Sequence, residues 1–105
     1  MSSLTRYLTT QYLAAVTPHE FDDDEHWLGL ARKHKVRLPH HGTPLQTGPM
    51  ERWLRKLGIA GPQWRAYTGG QTNKQFIEAN PTWTLRSWVG HALEYLQGKV
   101  DGRFV

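Results

Sequence analysis

Histidines and carboxylates are the residues of this 105-residue chain that could hold a metal ion or transfer protons. His19 and Glu20, followed by His26, lack the spacing of an HExxH zinc helix. His40 and His41 are adjacent in a loop, where two imidazoles rarely converge on one ion. The acids that begin at Glu20 are instead explained by a helix start, because carboxylates in a first turn complement the helix dipole. We therefore expect no metal site and no cofactor.

Nucleophilic catalysis also lacks suitable residues. The chain contains no cysteine, which excludes thiolate chemistry and fits a reducing cytoplasm. None of the three serines has the setting of a nucleophile elbow, and Gly69-Gly70 is not followed by the Lys-Ser/Thr of a phosphate loop. Polar residues interrupt the apolar positions of residues 1–16, so no signal peptide or membrane span is predicted. We expect a cytoplasmic protein that is not an enzyme.

The charge is unevenly distributed along the chain. The net charge is +4, yet five of the nine acids lie between residues 20 and 25. Residues 32–74 then carry nine basic residues and one acid, Glu51. Such a region attracts polyanions, although a solvated surface of a basic protein would have the same composition.

The elements that must position these charges are helices. Apolar periodicity predicts an all-α fold, a compact bundle of about five helices, with no sheet. The expected helices are 3–16, 22–35, 49–57, 62–68 and 81–97, with a further short turn at 72–79 and a long loop at 36–48. Residues 1–98 should form one domain and residues 99–105 a tail.

Local signals set the expected boundaries. Pro49 and Pro62 each suit the first turn of a helix. Gly58 should end the helix that Pro49 begins. Thr72 and Gln75 have capping-box spacing. Asn80-Pro81 should begin the last helix, which Gly98 should end. The residues expected to share one core cluster are Trp53, Leu57, Trp64, Tyr67, Trp88 and Leu93.

The segment Met50–Gly70 combines two apolar faces with a glycine turn. Trp53 and Leu57 face inward from the first helix, and Gly58 is followed by Ile59, a branched apolar residue. The inner face of the second helix carries Trp64 and Tyr67. This arrangement resembles the helix-turn-helix of the lambda-repressor and Cro-like family. It departs from that family at Leu54, where a small residue is usual, and at Pro62, which is tolerated only in the first turn.

The resemblance implies a DNA-binding regulator of a phage, plasmid or other mobile element, whose second helix enters the major groove of double-stranded DNA. It assigns base contacts to Gln63, Arg65 and Ala66. It assigns contacts with the DNA backbone to Arg52, Arg55, Lys56, Thr68, Gln71 and Lys74. Such regulators commonly form dimers, and the apolar face of residues 3–16 is the candidate homodimer contact.

A protein-binding adaptor or inhibitor is the alternative function. Five tryptophans and four tyrosines are more than a small core requires, and these residue types dominate protein interfaces. Trp83 lies outside the inner stripe of its predicted helix, so it is either exposed or packed against the preceding loop. Outward Gln63 and Arg65 would favour DNA, whereas a buried Gln63 or a large exposed tryptophan patch would favour a protein partner.

Overall fold

The computed structural model describes residues 24–103, and the predicted helix 3–16, with its proposed dimer face, lies outside them. An all-α fold is confirmed for this described part, whose backbone contains no strand and only one isolated antiparallel bridge, between Pro44 and Thr84. No helix in it is long and apolar enough to cross a membrane. Its helices are α1 (Asp24–Lys33), α2 (Thr47–Leu57), α3 (Gly61–Tyr67), α4 (Asn73–Ala79) and α5 (Leu85–Val100).

The longest helix, α5, forms the centre of the core. Trp88, Val89, Ala92 and Leu93 are buried along it, at the spacing of one continuous helical face. Helix α1 packs against α5, and α2 packs against both α4 and α5. Helix α5 is therefore the element on which α1 and α2 both pack, and α4 is held against α2.

A glycine turn separates α2 from α3, as predicted. Gly58 has a left-handed backbone with φ of 70°, a conformation that glycine adopts without a steric penalty. Its N–H donates to the Arg55 carbonyl at 3.1 Å, and the N–H of Ile59 donates to the Leu54 carbonyl at 2.9 Å. These bonds satisfy the last carbonyls of α2, and Ile59 is buried immediately after the turn.

Aromatic contacts attach the short helix α3 to α5. The Trp64 ring lies edge-to-face against Trp88 and Tyr95, with both centroid distances 5.5 Å. Tyr67 approaches Tyr95 at 4.8 Å. Such edge-to-face pairs suit the aromatic quadrupole, so α3 presents its other face outward.

The last helix begins four residues later than predicted. Thr84 caps it, because its side chain accepts from the Ser87 N–H while the Ser87 hydroxyl accepts from the Thr84 N–H. Asn80 instead ends α4, where its Nδ2 donates to the Phe76 carbonyl at 2.9 Å. The predicted end at Gly98 is also wrong, because Gly98 is buried inside α5, which continues to Val100.

The other boundaries differ by smaller amounts. Helix α1 ends at Lys33 rather than at residue 35, because Lys35 has a positive φ of 59°. Helix α2 begins at Thr47, two residues before Pro49, and α3 begins at Gly61, one residue before Pro62. The predicted capping box of Thr72 and Gln75 is confirmed at the start of α4.

The predicted core cluster is correct in part. Trp64, Trp88 and Leu93 are buried. The other predicted members lie partly buried at the edge of the core, and these are Trp53, Leu57 and Tyr67. Leu54, which departs from the helix-turn-helix pattern, is the buried inner residue of α2 together with Met50.

Candidate nucleic-acid interface

The exposed face of α2 is basic. Arg52, Arg55 and Lys56 are exposed, whereas Met50 and Leu54 are buried on the opposite side. This division follows from the 3.6-residue helical repeat. The Lys56 ammonium lies 4.8 Å from the centroid of the Trp53 ring, a cation–π distance. The predicted backbone-contacting residues of α2 are thus accessible to a partner.

Helix α3 presents Gln63 and Arg65 to solvent on either side of the buried Trp64. The Gln63 Oε1 accepts a hydrogen bond from the Lys99 ammonium at 3.0 Å. Lys99 therefore adds a cation beside the predicted base-reading residue. Sequence reasoning missed Lys99 because it placed the end of the last helix at Gly98. The signal that could have found it is the i, i+4 spacing from Tyr95, whose ring centroid lies 5.7 Å from the Lys99 ammonium.

A cleft of about 320 Å³ lies between α2, α3 and the start of α4. Arg65, Gln71 and Lys74 line it together, so the structure brings three predicted site residues to one place. Among the described residues that line the cleft, Glu51 is the one acid. Arg55 does not line this cleft, and Arg52 and Lys56 line a separate groove on the other side of α2.

The predicted contact of Thr68 with the DNA backbone is wrong. Only 2% of this residue is exposed, and its hydroxyl donates to the Trp64 carbonyl at 3.0 Å. A threonine in the last turn often bonds to a carbonyl four residues earlier, so Thr68 cannot reach a phosphate from this position. Ala66 and Gln71 are half-buried, and the Gln71 Oε1 atom is itself buried. Access to these two residues is therefore limited.

Among the described residues, the exposed cations of α2 and α3 have no acidic partner. No carboxylate between residues 24 and 103 forms an ion pair with Arg52, Arg55, Lys56 or Arg65. Within this part of the chain, Glu94 pairs instead with His26 and His91, and Asp101 pairs with Arg103. The positive charge of α2 and α3 thus remains available for an anionic partner.

A second polar cluster surrounds Glu94 on the α1 side of α5. Its carboxylate accepts from the Trp27 Nε1 at 3.1 Å and lies 3.2 Å from the His91 Nδ1 and 3.4 Å from the His26 Nε2. Burial raises the pKa of Glu94, but the hydrogen bonds and charges of these neighbours outweigh it and lower the pKa. This cluster joins α1 to α5, so its role in the described fold is structural.

Within the described residues, no group of three or more metal-ligating side chains has a geometry that could hold an ion. All five tryptophans lie in this part of the chain, and each is buried or half-buried. Trp83 is 5% exposed. Its ring centroid lies 5.0 Å from that of Phe76 and 5.2 Å from that of His91.

No protein-family model, curated protein or solved structure matches this chain.

Proposed function

We propose that this chain is a small regulatory protein that binds double-stranded DNA, with α3 in the major groove and α2 across the backbone. The observation that carries the proposal is the outward position of Gln63 and Arg65. They lie on either side of Trp64, which fastens this helix to α5. An exposed, rigidly attached short helix beside a basic helix is the arrangement that major-groove recognition needs.

Base recognition is assigned to the two polar side chains of α3. The Arg65 guanidinium can donate two hydrogen bonds to guanine O6 and N7, and the Gln63 amide can pair with adenine N6 and N7. To reach a base, Gln63 must exchange its hydrogen bond with Lys99. The released Lys99 ammonium would then contact a neighbouring phosphate. Ala66, which is half-buried, can contribute only an apolar contact at the edge of the groove.

Backbone contacts are assigned to Arg52, Arg55, Lys56 and Lys74, which are all exposed. Each DNA phosphate that a basic side chain neutralises releases counterions. A plot of the logarithm of affinity against the logarithm of salt concentration then has a slope of about −0.9 for each such phosphate. We therefore expect the affinity for DNA to depend steeply on salt concentration.

A protein-binding role remains the alternative, but Trp83, whose exposure would have favoured it, is buried.

The test compares two arginines that are assigned different contacts. We would measure the affinity of the wild type, Arg65→Ala and Arg55→Ala at two salt concentrations. Each protein is titrated into a duplex selected from a random pool, which reports specific binding, and into an unselected duplex, which reports non-specific binding. Arg65→Ala should lose about 1–3 kcal/mol of specific binding and little non-specific binding. Arg55→Ala should weaken specific and non-specific binding alike. It should also reduce the slope of log affinity against log salt concentration by about one unit.

Arg32→Ala is the matched control, because Arg32 is exposed on α1 and belongs to neither α2 nor α3. It should leave the affinity for both duplexes close to that of the wild type. Equal losses from Arg65→Ala and Arg55→Ala on both duplexes would indicate a generic basic surface. Lack of binding by the wild-type protein at low salt would reject DNA binding altogether.

A further inference from the structure

A preformed groove lies on the side of α2 that faces away from the Arg65 cleft. It has a volume of about 460 Å³, and Pro49, Trp53 and Leu85 give it an apolar lining. Its lining residues are Thr43, Pro49, Arg52, Trp53, Lys56 and Leu85. Ligand sites in proteins are commonly concave and largely apolar, with a few polar groups that fix orientation.

The far wall of this groove is fixed by long-range backbone contacts. The Leu85 N–H donates to the Thr43 carbonyl at 2.8 Å, and Pro44 pairs with Thr84 in the isolated bridge. Leu85 is also the first residue of α5. Because both walls belong to elements anchored in the core, a ligand would not need to order the groove when it binds.

The described residues that line the groove carry charge of one sign. Arg52 and Lys56 are among them and no acid is, and neither cation forms an ion pair with a carboxylate between residues 24 and 103. Trp53 lies half-buried between them in sequence, with the Lys56 ammonium against its ring. Tryptophan and arginine in a partly enclosed site are the residue types that carry most of the energy in protein interfaces.

We propose that this groove binds an acidic segment of a partner protein through an apolar anchor. A leucine or phenylalanine of that segment would pack against Trp53 and Leu85, while flanking carboxylates pair with Arg52 and Lys56. Phosphodiester groups could satisfy the two cations, but they would leave the apolar lining without a partner. The site does not depend on DNA binding by α3. A bound segment would compete with DNA for Arg52 and Lys56, and it would leave Arg55 free.

The experiment uses the full chain and a synthetic probe. The probe is a peptide of about 12 residues in which Leu and Phe alternate with Asp and Glu, the composition expected of a segment that lays apolar side chains in a groove. A control peptide replaces every acid with Gln or Asn. Binding is measured by calorimetry, and the indole N–H signal of Trp53 is followed by NMR without DNA present.

We expect saturable binding of the acidic peptide that weakens with salt and shifts the Trp53 signal. Arg52→Ala and Lys56→Ala should each weaken it about two- to fivefold, the effect of a partly exposed ion pair. The combined Arg52→Glu and Lys56→Glu variant should weaken it at least tenfold. Both positions are exposed, so the fold should persist, which circular dichroism checks. Arg55→Glu, one residue from Lys56 but outside the groove, should change peptide affinity less than twofold.

Three results would overturn the proposal. One is no saturable binding of the acidic peptide, and another is an equal loss from Arg55→Glu. The third is an oligothymidine strand that binds more tightly than the acidic peptide and shifts the same Trp53 indole N–H signal, which would make the groove a nucleic-acid site. Failure of duplex binding by α3 would leave these peptide measurements unaffected, so the two proposals can fail separately.

Discussion

At the scale of single residues, Glu94 concentrates more polar contacts than any side chain assigned to DNA. It receives a hydrogen bond from Trp27, 67 positions away in the chain, and lies beside His26 and His91. Its pKa is lowered from 4.5 because these contacts outweigh the effect of burial. A carboxyl group with a lowered pKa stabilises the fold above its unfolded pKa, and the contribution is lost as the pH falls through the folded value.

Glu94→Gln should therefore destabilise the protein at neutral pH, and the difference from wild type should shrink as the pH falls below 4.5, the unperturbed pKa. Glutamine keeps an oxygen that can accept from Trp27 but carries no charge for the histidines. Urea unfolding of both proteins at a series of pH values measures the difference. A difference that stays constant from neutral to acid pH would show that the charge of Glu94 does not contribute.

At the scale of elements, the start of α5 depends on two competing capping signals. Asn80-Pro81 and Thr84-x-x-Ser87 are both reasonable helix starts, and only four residues separate them. Trp83 lies between the two signals and packs against Phe76 in the core. A helix begun at Pro81 would include Trp83, whereas the observed start leaves it in the turn between α4 and α5. Tertiary burial thus selects the second signal.

Thr84→Ala should lower the free energy of unfolding by about 0.5–2 kcal/mol, the usual cost of removing an N-cap side chain. Thr82→Ala is the matched control, because Thr82 is exposed in the preceding turn, and surface changes usually stay within about 0.5 kcal/mol. Chemical denaturation of the two variants makes the comparison. Equal stability of both would mean that the Thr84 cap contributes nothing measurable.

At the scale of the whole molecule, the close approach of α1 to α5 depends on a missing side chain. Gly90 faces the Trp27 indole so closely that a Cβ atom there would overlap the ring. Trp27 is fully buried at this crossing, and its edge also meets His91 at a centroid distance of 5.4 Å. The indole therefore fills the space that a side chain at position 90 would occupy.

Gly90→Ala should destabilise the protein by about 1–3 kcal/mol or more, the typical cost of overpacking a core. Gly29→Ala provides the matched control. Gly29 lies in α1, and a Cβ atom added there would meet nothing within 4 Å, so alanine should stabilise the helix by about 0.5–1 kcal/mol. Thermal or urea unfolding distinguishes the two. Changes of the same sign would contradict the proposed packing of Trp27 on Gly90.

The sequence by itself determined the features that depend on neighbouring residues. Helical periodicity predicted the all-α fold and the outward positions of Arg55 and Arg65, because side chains three or four residues apart share a face of a helix. The glycine at position 58 predicted the turn, because glycine adopts a left-handed backbone without a steric penalty. An inward Trp64 therefore places its immediate neighbours toward solvent without knowledge of the rest of the fold.

Only the tertiary structure decided which distant residues meet. It brought Lys99 to Gln63 and closed the groove beside α2 with Thr43 and Leu85. No local pattern encodes these contacts, because they arise when separate helices bury their apolar faces against α5. The side chains available to DNA or to an acidic segment are those that this packing leaves exposed.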